Sequence, residues 1–79
     1  RHMRSADKLV MMANQIVRNL AVQGEDEAVA MAAEHMRKFW EPRMRNQIYA
    51  HLDANAAELS PLAKRAIKEL ARMETPPRG

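Results

Sequence analysis

Apolar residues recur along the chain at the three- and four-residue spacing of an α-helix, in four successive segments. The apolar positions of the first segment are Leu9, Met12, Ala13, Ile16, Val17 and Leu20. Gly24 follows this segment, where a glycine is typical of the left-handed residue that ends a helix. The pattern therefore predicts a first helix that ends before Gly24 and buries one face in a core.

The second and third segments meet at a proline. Their apolar positions are Val29, Ala32, Met36 and either Phe39 or Trp40 in the second, and Met44, Ile48, Tyr49 and Leu52 in the third. Alanines among residues 28–33 make the second helix thin, so that a neighbouring helix can approach closely. Pro42 disfavours a helical conformation at Glu41 and suits the first position of a helix. We therefore expect the second helix to end at Glu41 and the third to begin at Pro42.

A capping hydroxyl followed by proline, Ser60–Pro61, predicts the start of a fourth helix. Its apolar positions are Leu62, Ala66, Ile67, Leu70 and Met73. The pattern predicts an all-α fold, a small bundle of three to four helices over residues 5–74. We expect residues 1–4, with a cloning remnant, and the tail 75–79 to be disordered. Whether helices two and three fold back on each other or bend at Pro42 stays open.

The composition narrows the classes of protein. A chain of 79 residues without cysteine holds one small domain with no disulfide, thiolate zinc site or iron–sulfur ligand. Its longest apolar run, residues 28–33, is far shorter than the roughly 20 residues of a membrane span, so we expect a cytoplasmic protein. The net charge of +3 is weak evidence for a polyanionic partner, because acidic residues lie between the basic ones.

Catalytic chemistry requires reactive groups that meet. His35 and His51 fall on different predicted helices, and no histidine pair has the four-residue spacing that places two metal ligands on one face. Glu34 precedes His35 but points about 100° away from it around the helix. The chain also has no glycine-rich phosphate loop. We expect a chain that is not catalytic by itself and holds no cofactor or metal.

Residues 35–45, HMRKFWEPRMR, place two of the three aromatic residues in the most basic stretch. Adjacent helical residues point about 100° apart, so we expect one of Phe39 and Trp40 to anchor the core and the other to lie at its border or outside. Tryptophan and arginine are enriched in interface hot spots, and Arg43 and Arg45 follow directly. Two interpretations stay open: a purely structural role, and a role shared between core and docking.

Nucleic-acid binding is an alternative for the same stretch. The side chains that could read base edges at the start of the third helix are Arg43, Arg45, Asn46 and Gln47. Glu41 lies in the same stretch, and the modest net charge gives little phosphate affinity. A small basic helical DNA-binding module is therefore the less favoured hypothesis.

Two segments carry a resemblance to a known family. DKLVMMANQI, residues 7–16, and HMRKFWEPRMRNQI, residues 35–48, resemble the delta subunit of NAD-dependent, molybdenum-containing formate dehydrogenases. The more specific signature is Phe-Trp-acid-Pro-Arg-Met-Arg, which falls on residues 39–45. The chain departs from the family pattern at Glu41, where aspartate is common, and at Met11, where a basic residue is frequent.

The resemblance implies a non-catalytic accessory subunit that docks on the large catalytic subunit of a formate dehydrogenase complex and supports its assembly or stability. It implies that the molybdenum cofactor, iron–sulfur clusters, FMN and NAD belong to partner subunits. The residues that we expect to contact the partner are Phe39, Trp40, Pro42, Arg43 and Arg45, with secondary contacts from Asn14 and Gln15. The isolated chain could form a homo-oligomer through the same surface. The sequence does not separate a permanent subunit from a transient maturation factor.

Overall fold

A computed structural model describes residues 5–55 and 58–74, and these residues form four α-helices without a strand. The helices are α1 (Ser5–Leu20), α2 (Glu25–Phe39), α3 (Pro42–Asn55) and α4 (Pro61–Glu74), with a short 3-10 helix at Ala21–Gln23. The predicted all-α fold is confirmed. The predicted terminal segments, 1–4 and 75–79, lie outside the described residues. None of these four helices has the length and hydropathy that crossing a membrane requires.

The four helices pack around one core. The most extensive helix contact joins α2 to α4, while α1 lies against α2, α3 and α4. Helix α3 packs against α1 and α4 and does not run back along α2. The chain therefore bends sharply at Pro42, which answers the question that the sequence left open.

Small residues supply much of the core where α2 meets α4. Ala32 and Ala33 on α2 and Ala63 and Ala66 on α4 are fully buried in the same apolar cluster. A methyl side chain keeps two helix axes close together, because interaxial distance depends on the side chains at the contact. The predicted close approach to α2 thus has its physical basis in alanines on both helices. Larger side chains fill the remaining space, with Met36, Ile48, Ile67 and Leu70 fully buried.

The buried face of α1 differs from the predicted one. Met12 is 42% exposed, whereas Val10, which the predicted stripe omits, is only 4% exposed. Val10, Ala13 and Val17 form the buried i, i+3, i+7 series, and Met12 points about 200° around the helix from Val10. The buried face is rotated from the predicted one because α1 contacts three helices and buries the side that faces them.

Gly24 separates α1 and its 3-10 extension from α2. Its φ of 102° is positive, as predicted, but its ψ of 150° lies outside the left-handed helical region. This conformation is essentially restricted to glycine. The Gly24 N–H donates to the Ala21 carbonyl at 3.0 Å, and the Gly24 carbonyl accepts from the Ala28 N–H at 2.8 Å. One residue thus ends the first helical segment and starts the next.

Replacing Gly24 with alanine should lower the free energy of unfolding by about 1–3 kcal/mol. An added Cβ at this position would meet no atom within 4 Å, so the whole cost comes from the backbone conformation. Urea denaturation of Gly24→Ala beside Gln23→Ala, a change at the exposed preceding residue, measures this cost. Equal stability of the two variants would show that the turn does not require glycine.

Candidate functional site

The elbow, residues 35–45, joins the end of α2 to the start of α3. Helix α2 ends at Phe39, two residues before the predicted end, and Trp40 is extended with φ −88° and ψ 133°. The Trp40 N–H still donates to the Met36 carbonyl at 2.9 Å. Pro42 is the first residue of α3, as predicted, and the Glu41 carbonyl accepts the Arg45 N–H at 3.1 Å.

The two adjacent aromatic rings of the elbow lie in opposite environments. Trp40 is 4% exposed and belongs to the core, whereas Phe39 is 69% exposed. The Phe39 ring packs on His35, with 4.9 Å between ring centroids. The prediction that one ring anchors the core and the other lies outside is confirmed. Phe39 is the outer ring, because the chain leaves the helix after it and turns Trp40 inward.

Arg45 stabilises the elbow through contacts with other residues of the chain. Its Nη1 donates to the Trp40 carbonyl and, at 3.2 Å, to the Arg37 carbonyl near the end of α2. Its Nε lies 2.5 Å from Oε2 of Glu74, the last residue of α4. A cation at this place also opposes the negative end of the α2 dipole. With only 16% of its side chain exposed, Arg45 is engaged by its own chain in this structure.

Tyr49 completes this polar cluster. Its hydroxyl donates to Oε1 of Glu74, so that one carboxylate accepts from Tyr49 and pairs with Arg45. Burial raises the pKa of the Tyr49 hydroxyl well above its ordinary value, and the hydrogen bond to Glu74 and the charge of Glu74 raise it further. The cluster therefore stabilises the neutral phenol and joins α3 to the end of α4.

The raised pKa of Tyr49 predicts a stability loss in alkali. Above pH 10.0, the ordinary pKa, the unfolded chain loses the phenol proton while the native chain keeps it. The native state then binds more protons than the unfolded state, so stability falls as pH rises. Tyr49 is the only tyrosine, so tyrosinate absorbance reports it directly. We expect an ionisation midpoint above 10 in the native protein and near 10 in urea; equal midpoints would contradict the Tyr49–Glu74 contact.

Asn14 is used to hold a loop. Its Nδ2 donates to the Glu58 carbonyl at 3.0 Å, and its Oδ1 accepts from the Ser60 N–H at 2.9 Å. The predicted cap of α4 is confirmed, since Ser60 Oγ accepts from the Ala63 N–H at 3.1 Å. Asn14 thus fastens the segment before α4 to α1. Gln15 is exposed and donates to Asn19 on its own helix at 3.2 Å.

Arg43 is the elbow arginine that has no partner among the described residues. Both Pro42 and Arg43 are exposed, and within the described ranges Arg43 makes no ion pair or side-chain hydrogen bond. Arg37, by contrast, lies 2.5 Å from Glu34 one turn earlier and holds the pKa of that carboxyl below its usual value. Of the three elbow arginines, Arg43 is the one whose charge faces solvent without a partner.

An exposed apolar surface beside the elbow was missed by the sequence analysis. Met11, Met12, Met31 and Phe39 are 57%, 42%, 41% and 69% exposed. They line two depressions of about 350 Å³ each, which share His35 and which we call the methionine groove. The first is lined by Met11, Met12, Gln15, Ile16, His35 and Trp40, and the second by Ala30, Met31, Glu34, His35, Lys38 and Phe39. The missed signal was the pair Met11–Met12, which exceeds what one narrow stripe on α1 can bury.

His35 and His51 lie on different helices, as predicted. His35 lies on α2 and is exposed, whereas His51 lies on α3, 3.5 Å from Glu58. In the part of the chain that the structure describes, no three His, Cys, Asp or Glu residues are grouped so that they could hold a metal ion. What the arrangement offers chemically is an apolar groove, an exposed ring and a free guanidinium, which are features of a surface that binds another protein.

Comparison with known protein families identifies a match over most of the chain. The sequence model of a family described as the NADH-dependent formate dehydrogenase delta subunit, FdsD, matches residues 8–67. No curated protein and no solved structure matches the chain. The matched range contains the methionine groove and the whole elbow. The chain belongs to the delta-subunit family of NAD-dependent formate dehydrogenases.

Proposed function

We propose that this chain is a non-catalytic accessory subunit that docks on the large catalytic subunit of formate dehydrogenase and supports assembly or stability of the complex. Membership of the delta-subunit family implies formate dehydrogenase partner subunits. The observation that carries the docking role is the exposed Phe39 ring beside the methionine groove. Contiguous exposed apolar surface of this kind marks interaction sites in soluble proteins.

Phe39 is the proposed anchor. A ring that is 69% exposed in the free chain has most of its surface available for burial against a partner. Phe39 is followed directly by Trp40, which belongs to the core cluster and also lines the methionine groove. The backbone that carries Phe39 is thus attached to the core. Pro42 fixes φ at the first residue of α3 and so restricts the direction of the chain after Trp40. Truncation of such a central anchor costs roughly 2–4 kcal/mol of binding free energy.

Arg43 is the proposed charged contact, since its guanidinium is exposed and unpaired among the described residues. A carboxylate or a helix C-terminus on the partner would complement it. Arg45 acts differently from Arg43, by holding the elbow in shape through Glu74 and the end of α2. Since Arg45 is one of the cations that the DNA-binding alternative requires, its engagement inside the chain reduces the support for that alternative.

The redox groups of the enzyme are assigned to the partner subunits. We place the molybdenum cofactor, the iron–sulfur clusters, FMN and the NAD site there. For the iron–sulfur clusters the sequence supports this assignment, because it contains no cysteine to ligate one. The role of this chain is then to bind, and its effect on formate oxidation is indirect.

Production of the enzyme with and without this chain tests the proposal. We expect less assembled complex, or a complex that loses formate-dependent NAD reduction at lower temperature, when the chain is absent. The purified chain alone should reduce no NAD with formate. Size-exclusion of the active enzyme shows whether the chain stays bound or leaves after maturation. Equal yield, thermal stability and activity without the chain would refute an accessory role.

A further inference from the structure

We propose that Glu74, the last residue of α4, is a positioning residue for the docking surface, because through Arg45 it fixes the backbone on both sides of the anchor residue Phe39. This inference rests on the proposed function and adds a residue that controls partner binding without being an anchor itself. A series of polar contacts that runs from α4 through α3 to the end of α2 supports it.

The bend between α2 and α3 is not held by extensive packing of these two helices on each other. Helix α3 packs against α1 and α4 instead of running along α2. Arg45 of α3 spans the bend, because its Nη1 donates to the Trp40 carbonyl and, at 3.2 Å, to the Arg37 carbonyl. Arg37 and Trp40 lie on either side of Phe39 in the sequence. The position of the Arg45 side chain therefore determines how the backbone at Phe39 is held.

Glu74 holds the Arg45 side chain in this position. Oε2 of Glu74 lies 2.5 Å from the Nε of Arg45, which is buried from solvent. The other oxygen, Oε1, accepts from the Tyr49 hydroxyl, so that both oxygens of the carboxylate are engaged by α3. Removal of this carboxylate would leave a buried cationic donor without its counter-charge. The guanidinium would then turn toward water, and its bonds to the end of α2 would be lost.

The place of Glu74 in its own helix also indicates a tertiary role. At the last residue of α4 the negative end of the helix dipole disfavours a carboxylate. Arg72, in the same last turn, has the sign of charge that the dipole favours. In natural proteins a local preference is most often violated where a functional contact compensates for it. The contacts of Glu74 with Arg45 and Tyr49 are that compensation.

A double-mutant cycle with Phe39 tests the inference. Isothermal titration calorimetry with the purified catalytic subunit gives the Kd values of the parent chain, Glu74→Ala, Phe39→Ala and the double variant. We expect Glu74→Ala to raise the Kd about tenfold in the parent chain, and less than about twofold when residue 39 is already alanine. Glu74→Gln keeps a hydrogen-bonding group but loses the charge, so its Kd should lie between those of the parent chain and Glu74→Ala.

Glu69→Ala is the matched control for Glu74→Ala. Glu69 also lies on α4, and it pairs with Arg72 of the same helix. Its removal takes away the same charge from the same helix without removing a contact of the elbow. We expect the Kd of Glu69→Ala to match that of the parent chain. An equal rise in Kd for both variants would show an effect of net charge and would overturn the positioning role.

A second measurement follows the elbow in the chain without its partner. Trp40 is the only tryptophan, so its fluorescence reports the bend directly. We expect acrylamide to quench Trp40 more strongly in Glu74→Ala than in the parent chain, and equally in Glu69→Ala and the parent chain. If Phe39→Ala binds too weakly for the cycle, this measurement decides, and unchanged quenching in Glu74→Ala would overturn the inference.

Other outcomes separate this inference from the proposed function. An unchanged Kd for Glu74→Ala, even with a lower free energy of unfolding, would show that Glu74 has a purely structural role. An equal loss of affinity with and without the Phe39 ring would show that Glu74 contacts the partner directly. Either result would overturn the positioning role, and the docking function would stand. Failure of the parent chain to bind the catalytic subunit would remove the proposed function and this inference with it.

Discussion

Trp40→Ala should lower the free energy of unfolding by about 3–5 kcal/mol, whereas Phe39→Ala should change it by less than about 0.5 kcal/mol. The two residues are neighbours in sequence, but Trp40 is 4% exposed and Phe39 is 69% exposed. Removing the indole leaves a cavity at the point where the core cluster meets the bend at Pro42. Removing the outer ring takes away surface that already faces water.

The loss of unfolding free energy expected for Trp40→Ala is large for so small a domain. Small domains are stable by only about 5–15 kcal/mol, so Trp40→Ala should remove a large share of the total. Urea denaturation followed by far-UV circular dichroism measures both variants without relying on tryptophan fluorescence. Trp40→Phe, which keeps an aromatic ring in the core, should recover part of the loss. Similar stabilities for Trp40→Ala and Phe39→Ala would contradict the opposite placement of the rings.

Phe39→Asp should weaken binding to the catalytic subunit roughly 30- to 700-fold, which corresponds to about 2–4 kcal/mol. The substitution removes the exposed anchor and places a charge where the proposed interface is apolar. Because Phe39 lies outside the core cluster, the variant should keep the fold of the parent chain. Isothermal titration calorimetry with the purified catalytic subunit gives the Kd values.

Val22→Asp is the matched control for this prediction. Val22 is 86% exposed, and it precedes α2, about 20 Å from Phe39 along the length of that helix. The same change of an exposed apolar residue to aspartate is thus made beyond the opposite end of α2. We expect the Kd of Val22→Asp to match that of the parent chain. Equal loss of affinity in both variants would show that the effect of Phe39→Asp is not local to the elbow.

The helices could be predicted because their signals are local. Apolar residues at helical spacing define four segments, and Gly24, Pro42 and Ser60–Pro61 mark the boundaries by conformational restriction or capping. The sequence also predicted that the rings of Phe39 and Trp40 lie in different environments, since adjacent residues of a helix point about 100° apart. Which of them turns inward depends on the extended conformation of Trp40, and the spacing of apolar residues does not predict that conformation.

The rest of the site depends on contacts between distant parts of the chain. The sequence suggests that Arg45 is a surface cation. In the structure it pairs with Glu74, which lies 29 residues later, at the end of α4. The hydrogen bonds of Asn14 could not be predicted either, because its partners Glu58 and Ser60 lie more than 40 residues away and only the tertiary fold brings them to α1. The methionine groove was missed because Met12 fits a helical stripe, although α1 turns a different side to its three neighbours.

Hydroxyl-radical footprinting of the chain, free and bound to the catalytic subunit, tests the docking surface most directly. Mass spectrometry then gives a separate oxidation rate for each exposed side chain. The account predicts that the rates at Met11, Met12, Met31 and Phe39 fall severalfold in the complex, while the rate at Val22 stays unchanged. Unchanged rates at the groove in a complex that has formed, with protection at Val22 instead, would contradict it.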